Sequence, residues 1–461
     1  MTELSGAQDL GQTVARLRRT FTEGVTRPLS WRLTQLRQIQ RMIVEREDAW
    51  QQAMKADLGK CALETHLTET GFLLAELRHT IANLPDWVRR EKVSTPLLVF
   101  PASSYVERQP LGVALIIGPW NYPLHLSLAP MIAAIAAGNC VVVKPSEHAP
   151  VTSAAIAAIL PDYVDQRAVA VVEGDYKVAG ALLNERFDHI FFTGGTAIGR
   201  IVMTAAAKHL TPVVLELGGK CPCIVDASAD IDLAARRITW GRFLNCGQTC
   251  IAPDYVLAHP AIEDALIDRI VHYVRKFYGD DPQQSPDYAR IINGNHHDRL
   301  TGLIEGQNVV IGGKSDRDQR YIAPTILRDV DPESPVMQEE IFGPILPVLQ
   351  IADVDAAIDF VNARPRPLGL YLFTGSRSQA ERVITQTTSG GAAINDVIAQ
   401  IGVPELPFGG VGDSGMGGYH GRHGFECFSH RKGVVDKSTH LDVAIRYPPY
   451  ANKLRWLRKL Q

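Results

Sequence analysis

Three side chains in this sequence are the parts that acyl chemistry through a thioester requires. Cys250 ends the segment NCGQTC, a stretch of small and polar residues rather than an apolar core run, and a thiolate is the form of cysteine that adds to a carbonyl carbon. Glu216 closes the apolar run PVVLE, separated by one residue from Gly218 and Gly219, so a carboxylate stands at what reads as a strand end. Asn121, in GPWNYP, puts an amide donor at another such end, and donors of this kind stabilise an oxyanion. A cysteine taken alone is most often an inert buried residue. It is the carboxylate and the amide at other strand ends that give Cys250 a chemical reading.

A second group suits a nucleotide. Gly194, Gly195, Thr196 and Gly199 of GGTAIG lie between a strand-like and a helix-like segment, where small residues let backbone N–H groups and a helix N-terminus approach a pyrophosphate. The same turn also serves plain strand-to-helix packing, so it gains meaning only beside other signals. Lys144 and Glu147 of VVVKPSE follow a further strand end; they form either a site for ribose hydroxyls or a solvated turn. Cys246 stands four residues before Cys250 and reads as an incidental small residue, because a lasting disulfide would disable the nucleophile. Cys221 and Cys223 have no histidines at zinc-like spacing, so no metal site is expected. His420 and His423 in GGYHGRHGF lack further ligands and read as a structural turn facing the site.

Groups at strand ends need a sheet to hold them. From Val113 the chain alternates apolar runs (ALII, CVVVK, AVAVV, HIFFT, PVVLE) with helix-like stretches. That series predicts an α/β fold with a parallel, five-stranded Rossmann-like sheet, helices on both faces and ligands beyond the carboxyl ends of the strands. A second mixed α/β segment runs from about Lys220 to Gly410, with a helix over AIEDALIDRIVHYVRKFYG and a strand over PILPVLQI. The first ninety residues read as amphipathic helices. Val93 to Pro110 turns β-prone around a Pro-Ala-Ser-Ser turn, which predicts an extended hairpin of the kind that pairs with another subunit.

Composition narrows the function classes. The 461 residues are 46% hydrophobic and 21% charged with a formal net charge of −3, which gives no field to gather nucleic acid. Seven cysteines without secreted-domain spacing, and a beginning (MTELSGAQDL) without a signal-peptide pattern, suit a reducing, cytoplasmic setting. The run from Pro110 to Val143 carries no Asp, Glu, Lys or Arg, yet prolines, glycines and asparagines cut it into strand and helix lengths, so it predicts a buried core rather than a membrane span. The tail RYPPYANKLRWLRKLQ mixes Leu454, Trp456, Leu457 and Leu460 with Arg455, Arg458 and Lys459. We expect it to pack on protein, with no membrane anchor.

GPWNYP, VVVKPSE, FTGGTAIG, LELGGK, GQTC, EEIFGP and PFGGVGDSGMGGYHG occur in this order over nearly the whole chain. Together they resemble the aldehyde dehydrogenase family, and LNCGQTCIAPDYV with GGYHGRHGFECFSH is most similar to its class 3 branch, typically homodimers acting on aliphatic and aromatic aldehydes. The resemblance implies NAD, with NADP also accepted, and oxidation of aldehydes to carboxylic acids. It implies Cys250 as nucleophile, Glu216 as general base and Asn121 as oxyanion donor. Trp120, Lys144, Glu147, Gly194, Gly195, Thr196, Gly199, Glu340 and Phe342 would meet the cofactor, and Tyr122 and Trp240 would line an aldehyde tunnel. It also implies a nucleotide-binding domain over 1–90 and 111–217, a catalytic domain over 218–427, a bridging and oligomerisation arm over 91–110 and 428–440, and a tail over 441–461. Two other readings stay open: transfer of the acyl group to coenzyme A, against which Glu216 argues, and a non-catalytic binding protein on the same fold.

Overall fold

The computed structural model describes residues 2–442, 444–451 and 453–458. Helical spacing of apolar residues has its usual result: the helix Leu29–Glu45 buries Leu36, Ile39, Met42 and Ile43 along one stripe. That helix and Gly71–Trp87 pack against His125–Ala137, a helix buried on every side. The uncharged run from Pro110 to Val143 therefore becomes a strand, this helix and a second strand inside the protein. No described helix is long and apolar enough to cross a membrane.

The five expected strands form one parallel set, in the order Val213–Glu216, His189–Thr193, Val113–Ile117, Cys140–Lys144, Val169–Val171. A sixth strand, Gly415–Met416, adds antiparallel at the outer edge with Gly415 opposite Glu216. The sequence pattern marks no strand there. Glycine is required there: Gly415 has φ +144°, and a Cβ on it would lie 2.2 Å from the Leu215 carbonyl oxygen.

A second sheet of seven strands holds the other half of the core. Its order is Asn308–Ile311, Thr325–Arg328, Ile345–Gln350, Tyr255–Ala258, Pro222–Val225, Gly369–Phe373, Gly391–Ile394, parallel throughout except for the first pair. The expected helix appears as Glu263–Tyr278 and buries Leu266, Ile267, Ile270 and Val274.

A third, antiparallel sheet joins Glu91–Val93, Ala102–Pro110 and Ser429–Lys437. The hairpin is present, but its reversal is not at Pro-Ala-Ser-Ser. Ala102, Ser103 and Ser104 already lie in the strand, and the chain turns through the 3₁₀ segment Leu97–Val99. Pro96 and Pro101, which cannot donate to a ladder, bracket that turn. The tail forms the short turns Ala444–Arg446 and Leu454–Leu457; Lys459 and Leu460, counted in its basic and apolar set, lie outside the described residues.

Candidate active site

The carboxyl ends of the first sheet open on a cavity of about 880 Å³, closed from the other side by loops that precede strands of the second. Asn121 and Tyr122 follow the strand Val113–Ile117, and Glu216 ends Val213–Glu216. Opposite them come Cys250, ahead of Tyr255–Ala258, and Glu340 with Phe342, ahead of Ile345–Gln350. All six border the one cavity.

The nucleophile loop is made by an unusual backbone. After the helix Ile231–Phe243, Asn245, Cys246 and Gly247 take φ of 51°, 55° and 76° in succession. Gly247 has no substitute, because a Cβ there would lie 2.2 Å from the Gly343 carbonyl oxygen. Gln248 latches the turn: its Nε2 donates to the carbonyls of Asn245 and Arg290, each at 3.0 Å, and its Oε1 accepts from Ile292 N at 2.9 Å. Cys250 emerges half-buried on the cavity wall. Burial pushes its thiol up, and the carboxylates of Glu340 and Glu216 push the same way, so the resting group is a thiol that must lose its proton to react. Cys246, in contrast, is fully buried in the second core, beside the Tyr288 hydroxyl and away from the cavity. Both are free thiols.

Glu216 is buried at 3% exposure, and neither of its oxygens has a hydrogen-bond partner among the described residues. Desolvation alone holds its carboxyl well above the usual range. A raised carboxyl is a stronger base once ionised, and a buried group without a partner calls for an explanation in chemistry rather than packing. Asn121 donates one Nδ2 hydrogen to the Gln248 carbonyl at 3.0 Å and has a second to give. Tyr122 is hydrogen-bonded through its hydroxyl to Thr249, and Trp240, 41% exposed, stands on the cavity wall.

The nucleotide candidates divide into two sets. Gly194, Gly195 and Thr196 line the cavity, where the helix Thr196–Ala207 begins with no side-chain cap, leaving backbone N–H groups for an anion. Gly199 lies one turn further and faces Leu217, whose Cδ2 would be 2.7 Å from an added Cβ. Lys144 and Glu147 stand at the end of Cys140–Lys144, two strands away from the glycine turn and outside the wall that carries Cys250, joined by a 2.5 Å ion pair. Burial raises the Glu147 carboxyl, but the bonded Lys144 ammonium outweighs it and holds the group below the usual range. Glu340 approaches so closely that a Cβ on Gly218 would fall 1.9 Å from its Oε2. Desolvation and the nearby Asp254 raise the Glu340 carboxyl to about 8, and its Oε1 has no partner among the described residues. The Phe342 ring meets Trp120 edge-on at 5.3 Å.

Sequence reasoning missed several wall residues. His296 lies against Trp120 at 4.8 Å, Arg299 is held by Glu339 at 2.7 Å, and His125 presents from the helix His125–Ala137 an Nε2 with no partner among the described residues. A histidine inside an uncharged run is the one signal that could have found His125. Nothing in the sequence distinguished the other two from surface residues.

The sequence pattern of the Aldehyde dehydrogenase family matches residues 2–434. Aldehyde dehydrogenase family 3 member A2 of Macaca fascicularis is 49% identical over 446 residues, 96% of this chain and 92% of that one. The dimeric, NADP-preferring aldehyde dehydrogenase of Rattus norvegicus is 49% identical over 447 residues, 96% and 99% of the two chains. Among solved structures, the substrate-bound AldH of Staphylococcus aureus superposes with a TM-score of 0.95 at 43% identity, covering 97% and 98%. PnpE in complex with nicotinamide adenine dinucleotide does so with 0.87 at 28% identity, covering 96% and 92%.

Proposed function

We propose that this chain, which belongs to the aldehyde dehydrogenase family and oxidises aldehydes to carboxylic acids, works through Cys250 as nucleophile, Glu216 as base and Asn121 as oxyanion donor. The observation that carries the reading is Glu216, a buried carboxyl group whose two oxygens have no partner among the described residues, on the same cavity as a half-buried thiol.

The Cys250 thiol passes its proton to solvent water, and the thiolate sulfur bonds to the aldehyde carbon, sending the carbonyl electron pair to oxygen. The free Asn121 N–H and the Cys250 backbone N–H stabilise that oxyanion. Nicotinamide, when bound, supplies the acceptor for the hydride that the collapsing alkoxide expels. What remains on the protein is a thioester. Glu216 takes a proton from water, the hydroxide attacks the acyl carbon, the C–S bond breaks, and Cys250 leaves as thiolate. Covalent capture matters because a neutral aldehyde carbon is a poor hydride donor and a tetrahedral alkoxide is a good one.

The donor set suits a nicotinamide dinucleotide. The uncapped helix start at Thr196, with Gly194 and Gly195 before it, would take the phosphates; Lys144 and Glu147 would hold the adenosine ribose; and Glu340, Phe342 and Trp120 would border the nicotinamide half. We place NAD ahead of NADP by a modest margin, because an ionised Glu147 repels a 2′-phosphate. A higher kcat/KM for NADP than for NAD would remove Glu147 from that role.

The nucleotide-binding, catalytic and arm segments carry the limits given above. Exposed Leu97, Phe100 and Val435 on the arm suit burial against a second copy in a homodimer, which light scattering on the eluted protein tests. Seven free cysteines suit the cytoplasm. The activity itself is tested by NADH absorbance with hexanal and benzaldehyde, with and without coenzyme A. Equal rates with and without coenzyme A, with free acid as product, support hydrolysis; dependence on coenzyme A or no turnover at all would overturn it.

A further inference from the structure

Behind the two loops that carry Asn121 and Cys250 lies a segment that the chemistry above does not use. The short helix Ala62–Thr65 runs into a single π turn, His66–Thr70, a widened turn that recurs at functional sites. It carries Glu64 and Glu69 inward, and Lys60 enters from the residues just before it; all three are almost wholly buried.

Their bonds run to both loops. Lys60 Nζ donates to Glu69 Oε1 at 2.9 Å and to the Asn121 carbonyl at 3.1 Å, with the Tyr122 ring 4.0 Å away. Glu69 Oε2 accepts from His125 N at 2.8 Å, one turn beyond Asn121. Glu64 Oε1 accepts from Asn245 N at 2.9 Å, at the first left-handed residue of the nucleophile loop. Asn245 Nδ2 then donates back to the Asn121 carbonyl at 2.8 Å and to the Gln248 carbonyl at 3.2 Å. The Gln248 carbonyl in turn accepts the Asn121 side chain. The ring of bonds closes on Asn121.

A buried ion pair returns little net stability compared with an apolar replacement of the same shape. Its attested use is to fix one arrangement, and here two things need fixing. Asn245 and Cys246 are non-glycine residues in the left-handed region, which persists only where the surroundings enforce it. An oxyanion gains from its donors only when each stands about 2.7–3.1 Å from where the charge forms.

We propose that Lys60, Glu64 and Glu69 are positioning residues, a clamp that sets the Asn121 amide and the Cys250 loop at the relative geometry in which one oxyanion receives donors from both. The clamp rests on the roles of Asn121 and Cys250 proposed above.

The test uses the full-length enzyme and the pre-steady-state NADH burst with NAD and benzaldehyde. Lys60→Met/Glu69→Gln removes both charges together, so neither ion is left unpaired, and the new amide keeps an acceptor for His125 N. The burst rate is expected to fall about 10- to 100-fold with KM for NAD nearly unchanged. In an Asn121→Ala background the same pair of changes should cost less than about threefold, because the donor it positions is already gone. Glu64 carries the test by a second route should that variant fail to fold. Glu64→Gln retains an acceptor for Asn245 N and most of the rate, whereas Glu64→Leu loses about tenfold. Equal losses in both backgrounds, or no loss where Asn121 is present, would overturn the clamp alone. An undiminished burst in Asn121→Ala by itself would overturn the clamp together with the reading on which it rests.

Discussion

Two carboxylates, Glu69 in the π turn and Glu216 at the end of its strand, are equally hidden from solvent and differently employed. Glu69 spends one oxygen on Lys60 and the other on the His125 N–H. Glu216 spends neither. Leaving a buried polar group unsatisfied costs about 1–3 kcal/mol, more when it is charged, so a protein keeps one only where it does something else with it. Burial alone marks both residues. The missing partners distinguish the residue that reacts from the residue that holds, and the same contrast separates Cys250, on the cavity wall, from Cys246, sealed beside Tyr288.

The contrast can be broken at its largest effect first. Cys250→Ala should lower turnover by at least about 10⁴-fold while the fold and NAD binding persist, as followed by NADH absorbance and by calorimetry with NAD. Retained turnover would mean that another thiol is the nucleophile. Glu69→Ala strands the Lys60 ammonium in the interior and should cost about 3–5 kcal/mol of stability in denaturant unfolding; a neutral result would show that the pair is not held as the bonds indicate.

Glu216 should act oppositely, through pH. Its folded carboxyl is raised above the unfolded value, so the folded state binds the extra proton between the ordinary carboxyl range and that raised value. The stabilising contribution is present below the ordinary range and is lost as pH climbs. Thermal unfolding from pH 5 to 9 should show the parent losing up to about 1.4 kcal/mol per pH unit relative to Glu216→Gln. Parallel curves would mean that Glu216 has the same environment folded and unfolded. At the small end, Cys246→Ala should leave kcat/KM within about threefold while costing about 1–2 kcal/mol for the space it vacates. Equal losses of activity in Cys246→Ala and Cys250→Ala would instead mark the two thiols as a working pair.

What the sequence made legible follows the same division. Val113–Ile117, Cys140–Lys144 and the three other parallel strands are unbroken apolar runs, because both faces of a parallel sheet are buried. Polar residues at their ends therefore stand out, and Asn121, Glu216, Lys144 and the glycine turn could be found by eye. The two-residue strand Gly415–Met416 is too short to show an alternation, and the arm reverses in Leu97–Val99, whose apolar residues look like strand. Lys60, Glu64 and Glu69 are illegible for another reason. A charge in a helical segment reads as solvated, and only the tertiary fold reveals that Lys60 meets Asn121 and Glu64 meets Asn245. Satisfaction of a buried group is a property of partners far away in the chain.

The central claim is that Glu216, unpartnered, serves the hydrolysis of a thioester on Cys250, and stopped-flow kinetics of Glu216→Gln test it most directly. The amide keeps the size but takes no proton, so deacylation should slow by about 10²–10⁴-fold while acylation and hydride transfer survive. The expected trace is an NADH burst approaching one per active site followed by a slow steady state, with the acyl group visible on Cys250 by intact mass and turnover partly restored by hydroxylamine. A folded, NAD-binding Glu216→Gln enzyme without a burst would contradict the claim, because Glu216 would then act before the thioester exists, in taking the proton from Cys250.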